Sequence, residues 1–271
     1  VGLNLILGVA GQFSLGHAGF IAIGSYSGAI LGKMMNGLPG LFAGMAVGVV
    51  ISVIVAFLVG LPTLRLKGDY LAIATLGVAE IIRVAVTNMK ITNGAAGISG
   101  VPLTNTWTIT YIALVLTTIL ILNYTFSSAG RATYAVLQDE IAAESMGVQV
   151  TKYKILAFVL GAATASIGGT LSATTLGAVT PSDFTFMKSI EVLIIVVFGG
   201  IGSFTGSFVA AVLLGIINLV LQPFGQLRMI IYAVALILIM IFRPGGLLGT
   251  WEFKLGDLKF SKKKETKESG K

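Results

Sequence analysis

Residues 128–154, SAGRATYAVLQDEIAAESMGVQVTKYK, form the one long polar, charge-bearing stretch between strongly apolar segments of the chain. Within it Gly130-Arg131-Ala132 leads to Asp139-Glu140, then to Ile141-Ala142-Ala143, and the run stops at Gly147. Helix-forming residues rich in alanine that end on a glycine describe a short helix with a defined C-terminus. Such a helix, smooth with small side chains, fits a groove on another protein.

Outward from this island the chain is apolar. Of its 271 residues 55% are hydrophobic and 11% charged, against about 25% charged in a soluble domain. Such a chain cannot cover a water-facing surface. It reads as an all-α, polytopic transmembrane helix bundle with several short or broken helices. The 35 glycines agree, because helices in lipid associate by close backbone approach at small residues. Apolar runs place segments at 1–10 (partial), 13–31, 41–61, 70–86, 107–126, 155–176, 184–198, 204–221 and 227–242, about eight or nine in all at roughly 20 residues per span. Gly24, Gly28 and Gly32, then Gly40, Gly44 and Gly48, recur every four residues, and Gly202 with Gly206 makes a further pair. These stripes read as helix packing or as the lining of a pathway. Residues 11–16 and 200–206 are similar glycine/serine breaks, each followed by an apolar helix.

Charge then sets orientation. Arg65 with Lys67, Arg131 with Lys152 and Lys154, and Arg243 with the lysine tail all fall on one side, the cytosolic side by the positive-inside rule. Loops 33–40, 88–106, 177–189 and 222–226 then face outward, carrying Lys33, Lys90 and Lys188. Residues 1–250 make one membrane domain and residues 251–271 a basic cytosolic tail. The net charge of +7 lies in loops and in a tail that also holds Glu265 and Glu268, so nucleic acid is not an expected partner. The chain opens inside an apolar run without the charged start of a signal peptide, and further N-terminal sequence is expected before it.

Chemistry is nearly absent. There is no GxxxxGK[ST] phosphate loop, no HExxH and no GxSxG. One histidine and no cysteine leave no protein-only transition-metal cage. The polar candidates inside the membrane are Gln12, Ser14 and His17 in the break 11–19, and Glu80 with Arg83. Ser14 can cap the following helix, or the exposed helix start can meet a substrate carboxylate. Glu80 and Arg83, three residues apart, either pair with each other or contact a translocation path. The glycine-rich loop 93–100 reads as a turn cluster or as a docking loop on the outer face.

Five ordered blocks carry a resemblance: GQFSLGHAGFIAIGSYSGA (11–29), LRLKGDYLAIATLGVAEIIR (64–83), GRATYAVLQDEIAAESMGV (130–148), FGGIGSFTGSFVAAVLLG (198–215) and FRPGGLLG (242–249). The chain resembles permease subunits of branched-chain amino acid ABC importers, the LivM type. The resemblance implies a second, LivH-like permease, two cytosolic ATPases that carry the ATP and Mg, and an extracytoplasmic binding protein that delivers leucine, isoleucine or valine. It implies a bacterial inner-membrane location, a cytoplasmic C-terminus and no cofactor in this chain. It makes 128–154 the coupling segment, with Arg131, Asp139, Glu140, Ala142, Ala143 and Gly147 as its contact residues. The EAA-xxx-G pattern of such segments aligns on Ile141-Ala142-Ala143 and Gly147, with Ile141 where the usual Glu stands and Glu140 one position early. An importer for urea, short amides or a sugar, and an ATP-independent channel or secondary carrier, stay open as alternatives.

Overall fold

The computed structural model describes residues 1–35, 37–66 and 68–221, together with Val234, Gly246, Leu247 and Gly249. Lys67, the loop 222–226, the expected segment 227–242 apart from Val234, Arg243 and the basic tail 251–271 lie outside the described residues.

The chain starts with α1 (Gly2–Asn4), which runs into a π-helical turn (Leu5–Val9). Next come α2 (His17–Met34), α3 (Leu38–Thr63) and α4 (Asp69–Asn88). A two-residue strand β1 (Ile98–Ser99) precedes α5 (Trp107–Phe126), α6 (Ser128–Gln138), α7 (Glu140–Ser145) and α8 (Val150–Leu176). Then follow β2 (Ala178–Val179), α9 (Phe186–Gly199) and α10 (Phe204–Leu221). β1 and β2 pair antiparallel, Ile98 opposite Val179. This ladder holds the end of the glycine-rich stretch 93–100, and within it Asn93 Nδ2 donates to the Gly97 carbonyl at 2.9 Å.

Five helices among the described residues, α3, α4, α5, α8 and α10, are long and apolar enough to cross a bilayer. In α5 only Ile121 is fully buried and one face is half-buried, which leaves the opposite face to the surroundings. α2 is the opposite case. It buries twelve of its eighteen residues between α3 and α8, and a helix that meets protein on most sides need not be uniformly apolar.

The glycine stripes make this packing possible. A Cβ on Gly24 would collide with the Ser166 carbonyl oxygen of α8, and one on Gly28 would sit 2.8 Å from Thr170 Cγ2. From α3, a Cβ on Gly44 would come 2.7 Å from Gly28 Cα, and one on Gly48 3.2 Å from Gly24 Cα. Backbones this close exchange hydrogen bonds. Ser25 Oγ donates to Gly169 O at 2.9 Å, and Thr170 Oγ1 donates to Gly24 O at 2.9 Å. Phe20 and Phe158 meet edge to face, centroids 5.6 Å apart, below the glycine contact.

The two breaks adjoin the same short N-terminal segment. Asn4, fully buried, donates from Nδ2 to Ser203 O at 2.7 Å and to Ser207 Oγ at 2.9 Å, and accepts from Gly202 N–H at 2.8 Å. One side chain thus serves the turn between α9 and α10, where Gly200 and Gly202 hold φ of 116° and 91°.

The expected outer loop 177–189 is corrected by the structure. α9 has 14 residues, about 21 Å of helix, too short for a hydrocarbon core of about 30 Å. Its Ser189 Oγ accepts from Ala18 N–H at 3.1 Å. Gly24 against Ser166 and Gly28 against Thr170 set a parallel register of α2 on α8 that carries Ala18 to the level of Leu160. That level is roughly 15 Å from the Val150 end of α8 and 24 Å from its Leu176 end. The chain after β2 therefore dips into the bundle before α9 begins, and Lys188 and Glu191 start from inside the span.

Gly24→Ala is expected to lower stability by about 1–3 kcal/mol through overpacking against α8. Gly77→Ala, where an added Cβ meets nothing within 4 Å, is expected to be neutral or stabilising by up to about 1 kcal/mol. Thermal unfolding of the two purified variants in detergent checks the contrast.

Candidate functional site

The polar island folds as α6, one extended residue and α7. Asp139 is that residue. Its carboxylate accepts from Ile141 N–H at 2.9 Å and Ala142 N–H at 3.0 Å, capping α7 where the first amide groups lack helical partners. α7 closes on Gly147 at φ 83°. Gly147 N–H donates to Glu144 O at 2.9 Å and Val148 N–H to Ala143 O at 3.0 Å. These two bonds are a Schellman closure, and the left-handed residue it requires is a glycine. Both ends of this six-residue helix are therefore fixed by specific residues. Ala143 faces inward, whereas Ile141 and Met146 are 75% and 85% exposed and Ala142 is exposed beside them. Arg131 is exposed and donates from a guanidinium nitrogen to Phe126 O at 3.0 Å, binding the end of α5.

Glu140 pairs with Lys154 at 3.0 Å, and the Lys154 side chain is only 13% exposed. The carbonyl of the same Lys154 accepts from Gln12 Nε2 at 3.1 Å. Gln12, Asp139, Glu140 and Lys154 share the wall of one cavity of about 230 Å³ with Gly68 and Leu71. The structure thus joins two groups of candidates that the sequence kept apart: α7 touches the start of α8, and the start of α8 touches the break before α2.

At that break the expected cap is replaced. Ser14 Oγ accepts from Gly16 N–H at 3.3 Å, and α2 has no side-chain cap from its own N-cap residue, Gly16. Two distant hydroxyls serve the helix start instead: Thr75 of α4 accepts from Leu15 N–H at 3.0 Å, and Ser189 of α9 accepts from Ala18 N–H at 3.1 Å. Sequence reasoning passed over both. Their only signal was a hydroxyl inside an apolar helix. His17 is buried at the first residue of α2. Glu80 and Arg83 sit apart from this group and grip each other. Arg83 Nε donates to both Glu80 oxygens at 3.0 Å, and a second guanidinium nitrogen contacts Oε1. Among the described residues no three His, Cys, Asp or Glu side chains gather as a metal site.

With this geometry established, the comparisons with known proteins are specific. The family model described as the permease component of branched-chain amino acid transport systems matches residues 1–242. The chain is 36% identical over 283 residues to the high-affinity branched-chain amino acid permease protein LivM of Salmonella typhimurium, covering 92% of this chain and 66% of that protein. It is 30% identical over 145 residues to LivH of Escherichia coli, covering 53% of this chain and 46% of that protein. A probable LivM of Methanocaldococcus jannaschii is 25% identical over 279 residues, 91% of this chain and 78% of that protein. The chain therefore spans just under two thirds of the bacterial LivM proteins it matches. No solved structure matches it significantly.

Replacing the cap of α7 by Asp139→Ala is expected to cost about 1 kcal/mol locally and to speed hydrogen exchange at Ile141 and Ala142. Asp139→Asn, which keeps an acceptor oxygen, is expected to retain most of the protection. Amide exchange of the peptide spanning 139–147 reads the difference.

Proposed function

Because this chain belongs to the family of branched-chain amino acid transport permeases, we propose that it is a membrane-spanning subunit of an ATP-binding-cassette importer for leucine, isoleucine and valine. It works with a second, LivH-like permease, with two cytosolic ATPases that bind ATP and Mg, and with an extracytoplasmic binding protein that delivers the amino acid. The island 128–154 and the C-terminus face the cytosol of a bacterial cell, a reading supported by Arg131, Lys152 and Lys154 on one side of the span.

The observation that carries the reading is α7: a short helix capped at both ends, presenting Ile141, Ala142 and Met146 outward from the polar face of a membrane bundle. With no phosphate loop in the sequence, the energy for uphill transport comes from another chain. α7 is where that chain can hold this one. Movement of α7 is delivered through the Glu140–Lys154 ion pair to α8, and through the Lys154 carbonyl to Gln12 and the break ahead of α2. Tilting α2, α3 and α8 as one packed group against the other helices alternately opens the bundle to each face. The ion pair lies outside the apolar span and is partly screened, so its role is geometric more than energetic.

Gly147→Val places a β-branched residue in the left-handed region, which costs roughly 1–2 kcal/mol or more, and opens the Schellman closure. The variant is expected to insert normally and to lose ATP-driven leucine uptake in proteoliposomes holding the complete importer. Uptake equal to the unmodified protein would sink the proposed lever.

A further inference from the structure

Lys188 and Glu191 stand out among the described charges by where they sit. They lie on the first turn and a half of α9, whose start is inside the span rather than at a membrane face. Lys188 Nζ and Glu191 Oε2 are 3.0 Å apart, and the two side chains are 40% and 44% exposed. An exposed ion pair at this spacing adds little stability, while charged groups at bilayer depth are costly and turn toward water or a ligand path. Both line a cavity of about 610 Å³, within the range of roughly 300–1,000 Å³ typical of small-molecule sites. Much of the remaining lining is apolar, with Ile21 of α2, Leu176 of α8, Phe184 ahead of α9 and Ile194 within it, and Ser25, Ser172, Asp183 and Asn218 also belong to it. Lys188 also borders a second, adjoining cavity of about 620 Å³.

A third charge on the same lining, Asp183, is committed to the Thr180 N–H and hydroxyl. The cation, the anion of the pair and the apolar part of the wall are the complement of an aliphatic amino acid zwitterion. We infer that this cavity holds the amino acid in transit, with Glu191 taking its ammonium group, Lys188 its carboxylate, and the Ile21–Leu176–Phe184–Ile194 wall its side chain. The first amide groups of α9 add positive potential at the carboxylate end. When the cavity is empty the two charges neutralise each other, so neither is left bare at depth. When the zwitterion enters, each exchanges its partner for the opposite charge on the ligand, and the net charge of the cavity is unchanged. This inference rests on the reading of the chain as a branched-chain amino acid permease.

The test uses the complete importer in proteoliposomes, with ATP supplied to the ATPases and radiolabelled L-leucine loaded on its binding protein. Lys188→Met and Glu191→Gln are each expected to cut the initial uptake rate by about tenfold or more, as loss of one charge-assisted bond to the ligand implies. ATPase stimulation by the loaded binding protein should be retained. The decisive variant is Lys188→Met/Glu191→Gln, which removes both charges together and leaves neither unpaired. A ligand site predicts that the double variant transports no better than either single one. A merely structural ion pair predicts recovery, and uptake by the double variant at the unmodified rate would overturn the inference. Ile194→Trp, which fills the cavity without touching either charge, is expected to block uptake as well, and normal uptake by it would count against the site. Absence of leucine uptake by the unmodified complex would overturn the permease reading itself, and this inference with it.

Discussion

Inside a bilayer there is no water to hydrogen-bond a peptide group that has left its helix, and this fold is organised around meeting that requirement twice. The chain leaves helical geometry at residues 10–16 and again at 200–203, both within the bundle. In each case side chains from remote elements supply the missing partners. Thr75 and Ser189 accept from the amides at the start of α2. Asn4 alone makes three bonds to the turn between α9 and α10 and its first helical residues. Because these partners come from α1, α4 and α9, the breaks also fix how those elements sit on one another.

The same device ties the membrane interior to the polar face. Gln12 lies in the first break, yet its amide donates to the backbone of Lys154, whose side chain holds Glu140 of α7. A residue at the base of the bundle therefore reports directly on the helix proposed to meet the ATPase. The close glycine contacts of α2 with α3 and α8 make these helices a tightly registered group. Packed backbones shift between discrete arrangements more readily than they deform, as a rigid coupling element requires.

Much of the architecture was legible because lipid imposes one simple rule. Trp107–Phe126 and Phe204–Leu221 were bounded to the residue, since each apolar run is framed by polar or glycine-rich sequence. α3, α4 and α8 extended the expected runs by one to five residues at their ends, where Pro39, Asp69 and Lys152 enter first or last turns that composition alone would leave as loop. What stayed hidden was everything fixed by partners far away in the chain. Thr75 and Ser189 look like neutral hydroxyls until α2 is placed beside them. Ser14 looked like the cap because it is adjacent in sequence, but the helix start is reached more directly from α4 and α9. The dip after β2 was read as an outer loop because it fell between two expected spans once the cation-rich stretches were placed inside, and the order of apolar runs alone does not separate a membrane face from a cavity. In the island, Gly147 was found as the end of the helix, whereas the cap made by Asp139 and the contact between Glu140 and Lys154 required the fold.

The central claim is that α7 and the break ahead of α2 move together, joined through Lys154. The chain has no cysteine, so spin labels at introduced Ile141→Cys and Phe13→Cys report this distance without background. In the assembled importer, electron–electron double resonance should give the same distance in the ATP-free and ATP-trapped states. In a Lys154→Met background the two states should differ, because the link through the ion pair is gone. A distance that changes between the two states with Lys154 intact would contradict the coupling.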